Sequence, residues 1–249
     1  MASPVPNKSV RTSKGIVKMK VGILGSGMVG RAHAERLMAL GHDVVLGTQD
    51  VKKTLADTKP NAMGSPPFSE WQKGKPPVRL GALAETATHG EVIFNALKGE
   101  IAAEALKKLE NPLRNKILID IANPLDFSQG NPPFLSVCNI DSLGERIQKA
   151  LPGTRVVKAF NTMNAHLQVD PRQLQGGDHH AFVSGNDAKA KARVIEIHKA
   201  YGWINIIDLG DITTARGTEM LLPIWLRLWE ALKDPMFNFK IVRSENAAA

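Results

Sequence analysis

One cysteine, Cys138, occurs in the 249 residues. That excludes an internal disulfide, so nothing in the fold depends on an oxidising compartment. Without companion ligands it supplies neither a metal centre nor a redox pair, and it is expected to be a small core residue. Long apolar runs are missing too: none reaches the ~18 residues that cross a bilayer. Metal-ligand spacing is absent from the histidines: His33, His42, His89, His166 and His198 are scattered, and the adjacent His179 and His180 would point to opposite faces of a strand. Following Gly176, Gly177 and Asp178, that pair reads as a strand entry. Acid is missing from the first 20 residues, where Lys8, Arg11, Lys14, Lys18 and Lys20 account for five charges of the net +8. The remainder is close to balanced and has no basic stripe interleaved with aromatics, which argues against a nucleic-acid partner. With Ser3, Pro4, Pro6, Asn7, Ser9 and Ser13 and no apolar run, residues 1–19 read as a disordered basic tail, not a secretory leader. A cytoplasmic protein without a membrane partner is expected.

What is present is an alternation of strands and helices. Lys20–Leu24 is a short apolar strand, and Met28–Leu40 a helix whose stripe of Val29, Ala32, Leu37 and Leu40 has His33 and Arg36 at its rim and Gly41 as its stop. Strand-like runs follow at 42–47, 91–97, 116–122, 155–161, 180–185 and 204–210, with helical patterns over 100–109, 142–151 and 188–201. This predicts an α/β fold with a doubly wound, mainly parallel Rossmann-type sheet. A nucleotide-binding domain is expected over 20–210, and a short helical extension closing the acceptor site over 211–249. Two excursions break the rhythm. Pro60–Pro77 holds five prolines and is expected to be a long loop; Asn123–Asp141 follows the carboxyl end of a strand, where open α/β sheets bind ligands.

Gly25-Ser26-Gly27-Met28-Val29-Gly30 is GxGxxG between a strand and a helix, the context in which this motif binds a dinucleotide. Gly25 allows the tight turn, Gly27 lets a pyrophosphate approach the backbone, and Gly30 lets helix and strand pack closely. The acid that an NAD site places at the tip of the second strand is missing. Gly47-Thr48-Gln49 stands there instead, followed by Asp50, Lys52 and Lys53. A carboxylate about 4 Å from a ribose phosphate would be repelled by a few kcal/mol. Its removal, with Thr48 and Gln49 as hydrogen-bond partners and Lys53 nearby, favours NADP(H). Asp50 is the counter-argument, since it could turn inward and take the ribose.

Beyond the glycine loop, the sequence carries "VVLGTQD", "KILIDIANPL", "RVVKAFNTM", "FVSGND" and "IDLGDITTARGTEMLLPIWLRL" in that order. On these it resembles the NADPH-dependent reductases of coenzyme F420, a deazaflavin, from Lys20 to the C-terminus. Similar domains precede the membrane part of certain metalloreductases, where the acceptor is a flavin; no such part is found in this sequence. The resemblance implies that Ser26, Gly27, Met28 and Val29 face the pyrophosphate and that Thr48 takes the 2′-phosphate. It implies that Ala96, Leu97, Lys98, Ala122, Asn123 and Pro124 flank the nicotinamide, and that Asn161, Thr162 and Met163 lie beside the deazaflavin ring of coenzyme F420, the candidate co-substrate. The family usually has Arg where Gln49 stands, and its archaeal forms have shorter loops at 60–77 and 127–141, which leaves the acceptor's identity open.

No acid/base constellation stands out, and no catalytic residue is assigned. Hydride transfer between two rings needs none, because positioning supplies most of the rate. Lys158, inside an apolar strand, is expected to be half-buried. Arg216 and Glu219 are read as structural, pairing with each other or touching the acceptor. The last helix is apolar nearly all round, so it is expected to be buried, in the core before a subunit interface. Pro223 is expected to kink it, and Leu222 and Pro223, with Met163, to wall the acceptor. A homodimer is compatible with that helix and with the family. Two other readings stay open: a dehydrogenase of small carbonyl substrates, whose usual helical C-terminal domain exceeds the 39 residues after Gly210, and an NADP(H)-binding sensor without turnover.

Overall fold

The computed structural model describes residues 18–60 and 64–244. The basic tail expected over 1–19 therefore lies outside the described residues, except for Lys18 and Met19. Met19 belongs to the folded domain: its side chain is in the core and its N–H donates to His42 Nδ1 at 3.3 Å.

The first half runs β1 (Lys20–Leu24), α1 (Met28–Ala39), β2 (Asp43–Thr48), α2 (Val51–Ala56), α3 (Phe68–Gln72), β3 (Arg79–Ala82) and α4 (Leu83–His89). It continues through β4 (Val92–Asn95), α5 (Gly99–Lys107), α6 (Glu110–Leu113) and β5 (Ile117–Asp120). A two-stranded hairpin, β6 (Leu125–Asp126) and β7 (Phe134–Leu135), occupies the second excursion. Then come α7 (Leu143–Ala150), β8 (Arg155–Ala159), α8 (Ala165–Val169), β9 (His180–Gly185), α9 (Ala188–Tyr201), β10 (Asn205–Asp208), α10 (Ala215–Met220) and α11 (Leu222–Leu232).

Eight strands form one sheet in the order β10-β9-β8-β5-β4-β1-β2-β3, parallel except between β8 and β9. The order reverses between β1 and β4, so the carboxyl ends of those strands open a crevice where ligands bind in such sheets. Side chains alternate between two cores. Ile23, Phe94, Ile119 and Val157 face α1, α3, α8 and α9, whereas Leu24, Ile93, Leu118 and Val156 face α4, α5, α6, α7 and α10. This two-sided burial is why the central strands are nearly continuous apolar runs. Gly41, at φ +86°, ends α1 as expected: its N–H and that of His42 return to Met38 O and Leu37 O at 2.9 and 3.0 Å.

Several expectations are corrected. His33 is not at a rim but fully buried, between Tyr201 Oη at 3.1 Å and Gln168 Oε1 at 3.0 Å. Cys138 is exposed in the segment after β7, where the neighbouring Val137, not the cysteine, enters the core. The Pro60–Pro77 excursion is not all loop: Phe68 and Trp71, three residues apart, bring α3 down onto the Arg31 side of α1. The last helix is not buried all round. It breaks at Leu221, and Pro223 sits exposed in the first turn of α11 rather than kinking a continuous helix. Only Leu222 and Trp225 of α11 are buried. Over 233–244 the extension is not helical; it returns along β9, with Phe239 O accepting from His180 N at 3.0 Å.

Candidate functional site

The glycine loop leaves β1 at Gly25, whose φ of +118° is one that side chains rarely adopt. Gly25 N–H donates to Gly47 O at 3.0 Å, and a Cβ on Gly25 would come within 2.4 Å of Ala96 O. The loop therefore joins the ends of β2 and β4. A Cβ on Gly30 would lie 1.9 Å from Gly25 O, so α1 can close on the turn only without one. Gly27 meets nothing within 4 Å. It caps α1 without a side-chain hydrogen bond, no acid follows in the first turn, and Ser26, Met28 and Val29 remain partly or largely accessible. The first-turn N–H groups thus lack intrahelical acceptors and offer an anion a partial positive charge.

Sequence reading overlooked Arg31. It is buried behind the loop, donating from Nε to Ser26 O at 2.7 Å and from NH1 to Pro66 O at 2.6 Å, with its guanidinium over the Trp71 ring at 5.3 Å. Burial pulls its pKa down, against a smaller opposing pull from Asp57. Arg31 thereby fixes the glycine loop to the proline-rich excursion. Its contact with Pro66 lies 35 residues away in the chain and leaves no local signal.

At the tip of β2, Asp50 is engaged with the helix that follows. It caps α2, its Oδ1 accepting from Lys53 N at 2.9 Å. Thr48 is buried and its hydroxyl is 2.7 Å from that of Thr54, which donates in turn to Asp50 O at 2.8 Å. Gln49, Asp50, Lys52 and Lys53 are all exposed at this corner. The one carboxylate next to Gln49 is thus held as a helix cap.

The ends of β4, β5 and β8 carry a feature not anticipated. Asn95, Asp120 and Lys158 are register partners across three adjacent strands and form one buried polar row. Lys158 is not half-buried; its side chain is 1% exposed, 2.8 Å from Asp120 Oδ2 and 2.7 Å from Glu219 Oε1. Burial alone would lower the ammonium pKa, but Asp120 and Glu219 outweigh it and the net effect is upward. Arg216 and Glu219 do not pair with each other. Arg216 holds Glu145 with Nε to Oε2 at 2.8 Å, and that bond keeps the Glu145 carboxyl below its usual range.

Above the row lie the segments expected to flank the nicotinamide. Ala96, Leu97 and Lys98 follow β4, with Leu97 N donating to Asn95 Oδ1 at 3.3 Å. Ala122 N donates to Asp120 Oδ1 at 3.2 Å. Asn123 and Asn161 clasp one another, Nδ2 of Asn123 to Asn161 O at 2.8 Å and Nδ2 of Asn161 to Asn123 Oδ1 at 3.0 Å. Pro124 anchors the β6–β7 hairpin by accepting from Ser136 N at 2.8 Å. Thr162 and Met163 are buried beside Asn161. No hydrogen bond among the described residues joins Leu222 or Pro223 to that segment. The C-terminal contact there runs instead through Asn164, which donates to Pro235 O at 2.5 Å. No cluster of metal-ligating side chains and no helix long and apolar enough to cross a membrane occurs among the described residues.

Comparisons with known proteins agree with this arrangement. The family described as NADP oxidoreductase, coenzyme F420-dependent, matches residues 20–124. The F420-dependent NADP reductase of Methanocaldococcus jannaschii is 30% identical over 163 residues, which cover 65% of this chain and 72% of the reductase. Rat metalloreductase STEAP3 is 33% identical over 211 residues, 83% of this chain, but the chain spans only 38% of that protein. A solved structure from Arthrobacter sp. FB24, of a protein provisionally assigned as an F420-dependent NADP reductase, is 54% identical. It superposes with a TM-score of 0.85 over 90% of this chain and 100% of its own.

Proposed function

The chain belongs to the coenzyme F420-dependent NADP oxidoreductase family, and we propose that it acts in the cytoplasm, transferring a hydride between NADPH and the deazaflavin F420 or a flavin-like acceptor. The observation that carries this reading is the β2 corner, where the Asp50 carboxylate is engaged as the cap of α2 and the exposed Gln49, Lys52 and Lys53 are left to meet a 2′-phosphate. The residues fit the group: the space over Gly27 admits a pyrophosphate to the first-turn N–H groups of Met28 and Val29.

When bound, NADPH supplies the hydride. The chain's own part is placement. Ser26, Gly27, Met28 and Val29 hold the pyrophosphate, and Thr48 supports the corner from beneath. Ala96, Leu97, Lys98, Ala122, Asn123 and Pro124 border the nicotinamide. Asn161, Thr162 and Met163, with Leu222 and Pro223, border the acceptor, and the Asn123–Asn161 clasp joins the two sides. Transfer would require the two ring carbons to approach to about 3–3.5 Å, and the acceptor's reduced ring nitrogen would take its proton from solvent.

The exposed face of α11 is read as a homodimer contact. Ile224 (48% exposed), Leu228 and Leu232 (57% exposed) fall at i, i+4 and i+8, one apolar stripe without a partner among the described residues.

The test is anaerobic mixing of the protein, NADPH and oxidised deazaflavin, following both absorbances. Coupled loss of the two bands is the expected result. Tight NADPH binding without turnover on deazaflavin, flavins or small carbonyls would overturn this reading in favour of a sensor.

A further inference from the structure

The polar row beneath the crevice does more than fill the core. Each of its side chains engages a backbone group at the carboxyl edge. Asn95 Oδ1 receives Leu97 N, and its Nδ2 donates to Asp120 Oδ1 at 2.8 Å. Asp120 Oδ1 also receives Ala122 N, while Lys158 Nζ donates to Ala122 O at 2.5 Å. Glu219 arrives from α10 and accepts from Leu143 N at 2.8 Å and Gly144 N at 3.0 Å, at the start of α7. One buried cluster therefore grips both segments that border the nicotinamide, the start of α7 and the C-terminal extension.

Stability alone does not account for such a cluster. A buried ion group generally contributes no more than apolar residues of the same volume, because desolvation offsets the attraction. Here one ammonium is shared by two carboxylates, and the second also takes N–H groups of the α7 first turn. What an ionic cluster supplies that a hydrocarbon one cannot is direction: each bond fixes a particular backbone atom.

We propose that Asp120, Lys158 and Glu219 are positioning residues for hydride transfer, setting the backbone of Leu97 and Ala122 against the nicotinamide and locking the C-terminal extension to it. This rests on the NADPH reading above. The phosphate loop and the β2 corner lie outside the cluster, so nucleotide affinity and ring placement should come apart when it is altered.

The test compares the full-length wild type with Glu219→Gln, which sets an amide NH₂ against the N–H groups of α7. Lys158→Arg serves as the second variant should the first not fold. Leu113→Ala, a buried substitution in α6, is the stability control. Three quantities are measured for each: NADPH Kd by nicotinamide fluorescence, kcat with deazaflavin, and Tm. Expected for the cluster variant are a kcat loss of ten-fold or more, a Kd within three-fold of wild type, and a larger isotope effect with NADPH deuterated at C4. Leu113→Ala should lower Tm comparably and keep kcat within two-fold. Unchanged kcat in the cluster variant, or an equal kcat loss in Leu113→Ala, overturns the proposal. Should the wild type bind NADPH without turnover, the emission of bound NADPH decides: a shift in the variant supports positioning, and an identical spectrum overturns it. A wild type that binds no NADPH overturns the functional reading, and this inference with it.

Discussion

Phe160 lies flat on His198, their ring centroids 3.7 Å apart and their planes within 6° of parallel. The contact holds a residue that the backbone would otherwise resist. Phe160 has φ +62°, a left-handed conformation costing on the order of 1 kcal/mol or more for a side chain of this size. That turn, placed directly after β8, delivers Asn161 to Asn123. Packing beneath the sheet thus shapes the edge that faces the crevice.

His198 and His33 also set a pH dependence. Burial lowers His198 to about 3, opposed by its bond to the Val194 carbonyl and aided by His33; burial lowers His33 to about 4, opposed by Gln168. Both lie below the unfolded value near 6.5, so below that pH the unfolded chain binds more protons than the native one. Their contribution to stability is complete above pH 6.5 and is lost as pH falls toward 4 and 3. At pH 5 each histidine should cost about 2 kcal/mol. Thermal melts between pH 7 and 4.5 should show this decline, and His198→Phe should make it shallower. An unchanged slope in that variant would contradict the assignment.

One substitution at two glycines should give two different outcomes. Gly30→Ala places a Cβ 1.9 Å from backbone that cannot give way, so it should destabilise the fold by about 1–3 kcal/mol. Gly27→Ala meets open space and should leave Tm within a few degrees, yet weaken NADPH binding by ten-fold or more by obstructing the pyrophosphate. Calorimetry and fluorescence titration on the two variants check this. Preserved affinity in a folded Gly27→Ala would remove the phosphate from the loop.

The strands, the glycine loop and the missing acid were legible because each is local. Gly25, Gly27 and Gly30 announce their turn within six residues, and a short apolar run marks each central strand. The Asn95–Asp120–Lys158 row was not legible, since it exists only once register puts three distant strands side by side. Arg31 was missed, and Glu219 was given the wrong partner, for the same reason: Pro66 lies 35 residues from Arg31 and Lys158 lies 61 from Glu219. The α11 face was misread because apolar composition alone cannot tell a core helix from one that leaves half its surface uncovered.

That uncovered face yields a test of assembly. Leu232→Glu, or Ile224→Glu, places a charge at one end of the exposed stripe without replacing the buried Leu222 and Trp225. Analytical ultracentrifugation should show a dimer for the wild type and a monomer for either variant, with Tm falling if the face is covered in the native assembly. A wild-type monomer at micromolar concentration would refute the dimer.

The charge logic of the β2 corner can be tested at Gln49, which is exposed where Thr48 is buried and tied to Thr54. Gln49→Glu should weaken NADPH ten-fold or more and leave NADH within three-fold, because only the former brings a phosphate to that corner; ten-fold corresponds to about 1.4 kcal/mol, well within the repulsion of two charges at about 4 Å near a protein surface. Gln49→Arg should act in the opposite direction by supplying a bidentate donor. Raising salt from 50 to 500 mM should shrink both effects, since the corner is open to solvent and its charges are screened. Equal losses for NADPH and NADH in Gln49→Glu would place the 2′-phosphate away from β2, and with it the cofactor preference inferred from the absent acid.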